Sequence, residues 1–150
     1  MTKKDLIIQT DTGVMSIMLK ESVLQFYDYS VEELFFKNQD IKTEQHEFQI
    51  SPDFNQEIID LGNNKYDIMM SMEISPTEEA PVPFELRVAI IGHFVYVENE
   101  NATVSPDFKE KILKANTAAI LFPFLRQIVA TLTCTANIAP LMLPIMNFSE

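Results

Sequence analysis

The feature that most constrains the fold of this chain is the apolar stretch of residues 121–148, which holds one charge, Arg126, and becomes rich in proline towards its end. No charged residue lies between Arg126 and Glu150, a span that is about long enough to cross a membrane. Its threonines, asparagines and prolines argue against a membrane span, because each unpaired polar group in lipid costs several kcal/mol. The stretch therefore predicts an apolar surface of a water-soluble protein, helical at first and irregular after that.

Length and charge narrow the class of protein further. At 150 residues the chain is expected to form one domain, residues 1–150. Its 22 acidic and 11 basic residues give a net charge of −11, which repels nucleic acid and anionic lipid and favours basic or unfolded cationic partners. Lys3 and Lys4 precede too short an apolar run for a signal peptide, and the single cysteine, Cys134, suits a reducing compartment. We expect a cytoplasmic location.

Alternating apolar residues predict four strands ahead of one helix. Residues 66–74 and 84–96 alternate clearly, and the proline-containing residues 75–83 connect them, so we expect an antiparallel pair. Phe48, Ile50 and Phe54 also alternate but are interrupted at Pro52, which indicates an edge strand or a bulge. A fourth strand is predicted at residues 24–36, where the apolar phase shifts near Glu32 and Glu33. The fold class is therefore α+β, with a four-stranded antiparallel sheet.

The helix is predicted to begin at Ser105 and to end near Thr133. Ser105 is a typical capping residue and Pro106 suits the first helical position. Pro123 lies inside the pattern and predicts a kink or a helix restart. The later half is apolar on nearly every side, so one sheet covers only part of it and a second protomer is expected to cover the rest. The residues assigned to that oligomer interface are Phe122, Leu125, Ile128, Val129 and Leu132.

Little in the sequence indicates catalysis. The three glycines form no phosphate-binding loop, and His46 and His93 have no second ligand at metal spacing. His93 is interpreted as a strand histidine with a satisfied hydrogen bond, and Cys134 as a packing residue because no basic neighbour activates it. We expect no enzyme activity, no metal and no cofactor.

The two parts of residues 121–148 resemble one known family. The matching residues are Leu121, Phe122, Pro123, Phe124 and Arg126 at the start and Leu141, Leu143, Asn147 and Phe148 at the end. They resemble the helix start and the chain crossover of the SecB export chaperones, although the proline before Asn-Phe sits one position earlier, at Pro144. A weaker match covers residues 66–94. The resemblance implies a long C-terminal helix packed on one face of the sheet, and a homotetramer built as a dimer of dimers.

The resemblance also implies a function, the holding of unfolded preproteins for Sec-dependent export and translocation without ATP. The family binds these clients in an apolar groove, and the 8 methionines and 11 phenylalanines of this chain suit an adaptable surface. Pro52 stands where the family has an aliphatic strand residue. Carried over by position, the groove residues are Ile50, Phe54, Phe84, Leu121, Phe122, Leu141, Leu143 and Ile145.

Delivery of clients to the motor protein SecA is the part of the family's function that the sequence disfavours. Glu33 matches one acidic motor-binding position, but Lys37 and Arg87 replace acids and reverse the charge. The sequence ends at Glu150, before the family's last helix and acidic tail. Two alternatives remain: a SecB-like chaperone dedicated to an antitoxin or another single client, and a protein-interaction subunit whose apolar surface one partner covers permanently.

Overall fold

The computed structural model describes residues 3–10, 13–20, 23–39, 50–98 and 105–148 of the chain. The elements are β1 Lys3–Thr10, β2 Gly13–Lys20, β3 Leu24–Asn38, β4 Asp53–Gly62, β5 Lys65–Ile74, β6 Phe84–Tyr96 and α1 Pro106–Thr135. The described strands form two antiparallel sheets: β1 pairs with β2, and the other four strands follow the order β3-β6-β5-β4. The predicted four-stranded antiparallel sheet before one long helix is confirmed, whereas the hairpin of β1 and β2 was not predicted.

The two central strands, β5 and β6, alternate strictly between buried and more accessible residues. Every second residue of β5 and β6 is buried, and the residues between them are half-buried or exposed. Successive side chains of a strand point to opposite faces, so each strand has one apolar face. We call the face against the helix the inner face and the opposite one the outer face. The buried inner-face residues are Tyr66, Ile68, Met70, Met72, Ile74, Phe84, Leu86, Val88, Ile90, Phe94 and Tyr96.

The two edge strands differ in regularity. β4 begins at Asp53, directly after Pro52, so the proline precedes the strand and does not interrupt it. The predicted edge position of this strand is confirmed, the predicted interruption is wrong, and Phe48 lies outside the described residues. In β3 the register shifts between Phe26 and Asp28 and again between Val31 and Glu33. The second bulge confirms the phase shift predicted near Glu32, because one extra residue reverses the faces of those that follow.

The helix α1 begins as the sequence predicts. The Ser105 hydroxyl accepts a hydrogen bond from the Phe108 amide at 3.2 Å, and Pro106 occupies the first turn, where a missing N–H costs nothing. The helix continues through Pro123 without a restart, so that part of the prediction is wrong. Both Pro123 and Ala119, whose carbonyl loses its bond, are exposed. The Ala119 carbonyl is therefore accessible to solvent, which lowers the cost of a proline at this point of the helix.

A buried stripe joins α1 to the inner face of the sheet. Leu121 lies directly over Gly92, where an added Cβ would approach the Leu121 Cδ2 atom to 2.6 Å. A glycine at this point therefore allows the helix and β6 to come close. The buried residues of the stripe are Leu113, Thr117, Ala118, Leu121, Phe122, Leu125, Val129 and Thr133.

By length and composition alone, α1 would be able to cross a membrane.

A lysine in the second turn of α1 attaches the helix start to the sheet. Lys109 Nζ donates a hydrogen bond to Asn64 Oδ1 at 2.9 Å and lies over the rings of Tyr66 and Tyr96, at 5.5 and 4.7 Å from their centroids. A hydrogen bond with Tyr66 raises the pKa of Lys109 above its usual value, and this effect exceeds the lowering by desolvation. The lysine therefore stays charged at neutral pH and joins the β4–β5 turn to the helix.

Candidate functional site

The residues after α1, 136–148, turn back along the helix, and we call them the C-terminal segment. The turn is made by Asn137, which has a φ of 62° and donates its amide hydrogen bond to the Cys134 carbonyl at 3.0 Å. The next amide, of Ile138, donates to the Thr133 carbonyl at 3.1 Å. Asparagine tolerates the left-handed conformation that ends many helices. The segment thereby reverses direction without leaving the helix surface.

Polar groups of the helix hold the C-terminal segment in place. The Thr133 hydroxyl is buried, donates to the Val129 carbonyl at 2.9 Å and accepts a hydrogen bond from the Leu141 amide at 2.9 Å. Further along, Arg126 Nε donates to the Leu143 carbonyl at 2.6 Å. Arg126, the single charged residue of the apolar stretch, thus holds the backbone of the C-terminal segment. Irregular backbone needs such hydrogen-bond partners because it lacks those that a helix or a sheet supplies.

An aromatic cluster lies on the same side of the molecule as the C-terminal segment. The ring centroids of Phe54 and Phe122 are 6.0 Å apart, and those of Phe122 and Phe148 are 5.4 Å apart with an edge-to-face orientation. Phe54 comes from β4, Phe122 from the middle of α1 and Phe148 from the C-terminal segment. Gln56, also on β4, donates hydrogen bonds to the Lys114 carbonyl and the Thr117 hydroxyl at 2.9 and 3.0 Å. The edge strand, helix and segment therefore form one continuous surface.

Large apolar side chains on this surface remain in contact with water. Ile145 is 87% exposed, Met142 is 59% exposed and Met146 is 37% exposed, whereas Leu143 between them is buried. Exposed single apolar residues are common, but several close in sequence on one irregular segment mark an interaction site more often than chance. Pro140 and Pro144 disfavour helix and sheet in this segment, so these side chains project from irregular backbone.

The eight residues assigned to a client groove fall into two groups. Phe84, Leu121, Phe122 and Leu143 are buried within the single chain, while Ile50, Phe54 and Leu141 are half-buried and Ile145 is exposed. The second group supplies the area that a partner would reach without rearrangement. Phe148, which packs on Phe122, was not among the eight, although its place in the matching Asn-Phe ending offered a signal. The groove role of all eight residues stays a prediction.

The residues assigned to an oligomer interface divide in the same way. Phe122, Leu125 and Val129 are buried against the chain's own sheet, whereas Ile128 and Leu132 are half-buried on the helix flank. Phe124 on that flank packs against Tyr29 of β3 at a centroid distance of 4.6 Å. The accessible part of any helix-mediated interface would therefore be Ile128 and Leu132, and this assignment also stays a prediction.

The outer face carries charged residues in pairs. Arg87 bonds the carboxylates of Glu33 and Glu85 at 3.1 and 3.0 Å and lies 3.9 Å from the centroid of the Phe35 ring. Glu33, the proposed motor contact, is thus exposed but paired with a cation of its own chain. His93 Nδ1 lies 2.7 Å from Asp67 Oδ1, which confirms its interpretation as a strand histidine with a satisfied hydrogen bond.

Two expectations concern chemistry, the role of Cys134 and the absence of a metal site. Cys134 is exposed near the end of α1, so its assignment as a packing residue is wrong. Among the residues that the structure describes, no group of three or more His, Cys, Asp or Glu side chains is arranged to hold a metal ion.

Comparison with known proteins gives a consistent result. A family model described as "Preprotein translocase subunit SecB" matches residues 19–150. An uncharacterized protein of Methanocaldococcus jannaschii is 27% identical over 127 residues, which cover 83% of this chain and 79% of that protein. The protein-export protein SecB of Afipia carboxidovorans is 29% identical over 122 residues, 79% of this chain and 73% of that protein. SecB of Anaplasma phagocytophilum is 30% identical over a shorter span, 56% of this chain and 52% of that protein.

A solved structure shares the fold. It is a Mycobacterium tuberculosis SecB-like chaperone in complex with a ChAD peptide from the HigA1 antitoxin. The two chains superpose with a TM-score of 0.66 over 82% of this chain and 90% of that chain, at 13% sequence identity. The fold of this chain is thus similar to that of a SecB-like chaperone that was solved in complex with a peptide.

Proposed function

The chain belongs to the SecB family, and we propose that it is a cytoplasmic holding chaperone that binds unfolded polypeptides, preproteins among them, without ATP. It is a chaperone by family, and binding of clients in place of catalysis suits a sequence with no recognisable catalytic constellation. The observation that carries the proposal is the exposed apolar side of the C-terminal segment, where Ile145 and Met142 face water on the same segment whose Phe148 packs on Phe122.

Client binding at this surface would be weak at any single contact. Burying one aliphatic or aromatic client side chain yields about 1.5–3 kcal/mol, whereas ordering a disordered segment costs about 2–5 kcal/mol. Several surfaces that engage one long client at once raise the overall affinity by roughly 10²–10⁴. We therefore propose a homotetramer, a dimer of dimers, in which the flank of α1 at Ile128 and Leu132 lies against sister chains. Native mass spectrometry of the purified chain tests the tetramer.

Delivery to SecA is not part of the proposal. Lys37 and Arg87 stand at positions where acidic residues are expected in the family, so the charge at both positions is reversed. Glu33 is paired with Arg87 at 3.1 Å. An acidic surface that is neutralised by its own arginine attracts a basic partner less strongly.

The proposal is tested by aggregation of unrelated unfolded proteins. Purified chain is added, without nucleotide, to reduced insulin and to heat-denatured citrate synthase, and light scattering is followed. We expect suppression of both. The matched variants are Ile145→Asp, on the C-terminal segment, and Leu61→Asp, on the outer face, both at exposed positions. Ile145→Asp should weaken suppression because the client then meets a charge, and Leu61→Asp should act like the wild type.

Two results would contradict the proposal. If the wild-type chain suppresses neither aggregation reaction, it is not a general holding chaperone. Equal loss of suppression in both variants would place client binding elsewhere than on the C-terminal segment. Circular dichroism of each variant, compared with the wild type, separates loss of binding from loss of the fold.

A dedicated client is the second candidate, because the similar mycobacterial chaperone was solved with an antitoxin peptide. In that case the chain would protect one protein and leave unrelated ones to aggregate. The same assay distinguishes the two functions, since only a general holding chaperone suppresses both unrelated reactions. Protection of a single copurifying protein would support the dedicated role or that of a permanent subunit.

A further inference from the structure

Two methionines lie on the apolar side of the C-terminal segment that is proposed to hold clients. Met142 is 59% exposed and Met146 is 37% exposed, so solvent reaches both side chains. The other methionines whose side chains the structure describes are Met69, which is half-buried on the outer face, and Met70 and Met72, which are 3% and 1% exposed on the inner face. The most accessible of the described methionine side chains are therefore those at the proposed client surface.

Hydrogen bonds from the helix fix Met142 in its exposed position. The amide of Leu141, the preceding residue, donates to the Thr133 hydroxyl at 2.9 Å. The carbonyl of Leu143, the following residue, accepts from Arg126 Nε at 2.6 Å. Leu143 itself is 2% exposed, so its side chain occupies the inward position next to Met142. The segment therefore cannot bury Met142 by turning over without breaking both bonds and exposing Leu143.

The chemical feature of these two side chains is a thioether, which peroxides oxidise to a sulfoxide. The sulfur lone pair attacks one peroxide oxygen, the O–O bond breaks as the S–O bond forms, and the second oxygen leaves as water after taking the proton of the transferred hydroxyl. The sulfur loses two electrons and the peroxide gains them. The product carries a polar S–O group where the thioether was apolar and flexible. A client side chain that packs there has to remove water from this group, which is costly without a hydrogen-bond donor.

We propose that Met142 and Met146 are an oxidation site that controls client binding: hydrogen peroxide converts them to sulfoxides, and the client surface then loses affinity for unfolded polypeptide. The inference rests on the proposed holding function. Oxidation leaves the fold intact, because both side chains lie outside the buried core and Met70 and Met72 within it are protected. The reaction is reversed by methionine sulfoxide reductases, which use a thiol reductant and release the oxygen as water. The client surface is thereby coupled to the peroxide level of its surroundings.

The first measurement locates the oxidation. The purified full chain is treated with hydrogen peroxide for increasing times, catalase removes the oxidant, and dithiothreitol reverses any oxidation of Cys134 to a sulfenic acid or a disulfide. Mass spectrometry of proteolytic peptides then follows each methionine. We expect sulfoxide at Met142 and Met146 well before Met70 and Met72. Equal rates at the exposed and the buried positions would overturn the proposal.

The second measurement is the affinity for a client before and after oxidation. The client is fluorescein-labelled α-lactalbumin that has been reduced and carboxymethylated so that it stays unfolded, and binding is followed by fluorescence anisotropy. Peroxide should weaken binding by the wild-type chain at least about fivefold, because polar sulfoxides replace two apolar contacts. Methionine sulfoxide reductases specific for both epimers should restore the affinity. Circular dichroism should be the same before and after peroxide, and a changed spectrum would assign the loss to the fold and overturn the proposal.

Two variants separate the client surface from other positions, each compared with itself before and after peroxide. In the double variant Met142→Leu, Met146→Leu, which has no thioether on the segment, peroxide should leave the affinity unchanged. Met69→Leu removes a thioether from the outer face and should lose affinity on oxidation as the wild type does. Full oxidation of Met142 and Met146 without loss of affinity, or an equal loss in the double variant, would overturn the proposal. An untreated wild-type chain that binds no client would instead contradict the proposed function itself.

Discussion

The two faces of the sheet use the same strands in opposite ways. On the inner face, Ile90 of β6 is fully buried beneath α1, and the packing is almost entirely apolar. On the outer face of the same strand, Arg87 and His93 bond acidic residues of neighbouring strands while Ile91 is only half-buried. The inner face contributes most of the stability of the fold because hydrophobic burial exceeds the small net value of exposed ion pairs. The outer face is therefore free to vary in charge without loss of the fold.

The two faces also differ in the kind of surface that they offer to a partner, since one is apolar and the other is charged. The inner side continues into the C-terminal segment, which exposes apolar side chains such as Met142 and Ile145. The outer face presents charged side chains that are paired within the chain. Lys37 and Arg87 lie on the outer face, so a change of charge at either position leaves the proposed client surface intact.

The largest expected effect compares two isoleucines that are neighbours on β6. Ile90→Ala should lower the free energy of unfolding by about 2–5 kcal/mol, since Ile90 is 0% exposed and its removal leaves a cavity. Ile91→Ala makes the same change on the outer face and should cost less than about 1.5 kcal/mol. Urea denaturation followed by circular dichroism measures both. Equal costs would contradict the assignment of the two faces.

The next effect concerns the close approach of helix and sheet. Gly92→Ala should destabilise the fold by about 1–3 kcal/mol because the new methyl group would meet Leu121. The Leu121→Ala background removes this contact but leaves the approach of the methyl group to Phe94 Cε2, at 2.7 Å, so the cost of Gly92→Ala should be smaller by at least about 0.5 kcal/mol and should not vanish. Denaturant midpoints of the four proteins complete the cycle. Strict additivity would mean that the two residues do not touch.

A smaller effect is expected at the helix start. Lys109→Met should cost about 0.5–1 kcal/mol through loss of the cation–π contacts with Tyr66 and Tyr96. The pKa of Lys109 is raised in the folded chain, so its stabilising charge is complete below the unfolded pKa and is lost only as the pH rises through the folded pKa. The difference between variant and wild type should therefore stay constant from about pH 6 to about pH 9. A change within that range would contradict the assignment.

The smallest effect is expected on the outer face. Arg87→Gln should change the free energy of unfolding by less than about 1 kcal/mol, because the bonds to Glu33 and Glu85 are half-exposed and screened by salt. The difference from the wild type should shrink further at about 1 M salt. Thermal unfolding at two salt concentrations tests this. A loss as large as that of Ile90→Ala would show that the outer face supports the fold.

The sequence predicted those elements whose pattern is repeated along the chain. β5 and β6 were found because they alternate without interruption, and α1 because Ser105 and Pro106 give a clear start. The second bulge in β3 was predicted from the shift in phase near Glu32. The family was indicated by the ends of one apolar stretch and was then shown by the match over residues 19–150.

The predictions that failed depended on single residues whose surroundings the sequence does not reveal. Pro123 was expected to interrupt α1, but it lies on the exposed side of the helix, where the carbonyl of Ala119 is accessible to solvent. Pro52 precedes β4 and does not divide it. The hydrogen bonds from Thr133 and Arg126 to the C-terminal segment also went unrecognised, because their partners are remote backbone atoms. A lone arginine in an apolar helix was the available signal.

The central claim is that unfolded polypeptide is held on the side of the C-terminal segment and not on the outer face. Photo-crosslinking tests it most directly, with benzoylphenylalanine in place of exposed Ile145 in one variant and in place of exposed Lys37, on the outer face, in another. After illumination with a denatured client, we expect a cross-linked product from position 145 and none from position 37. Cross-linking of equal or greater yield from position 37 would contradict the account.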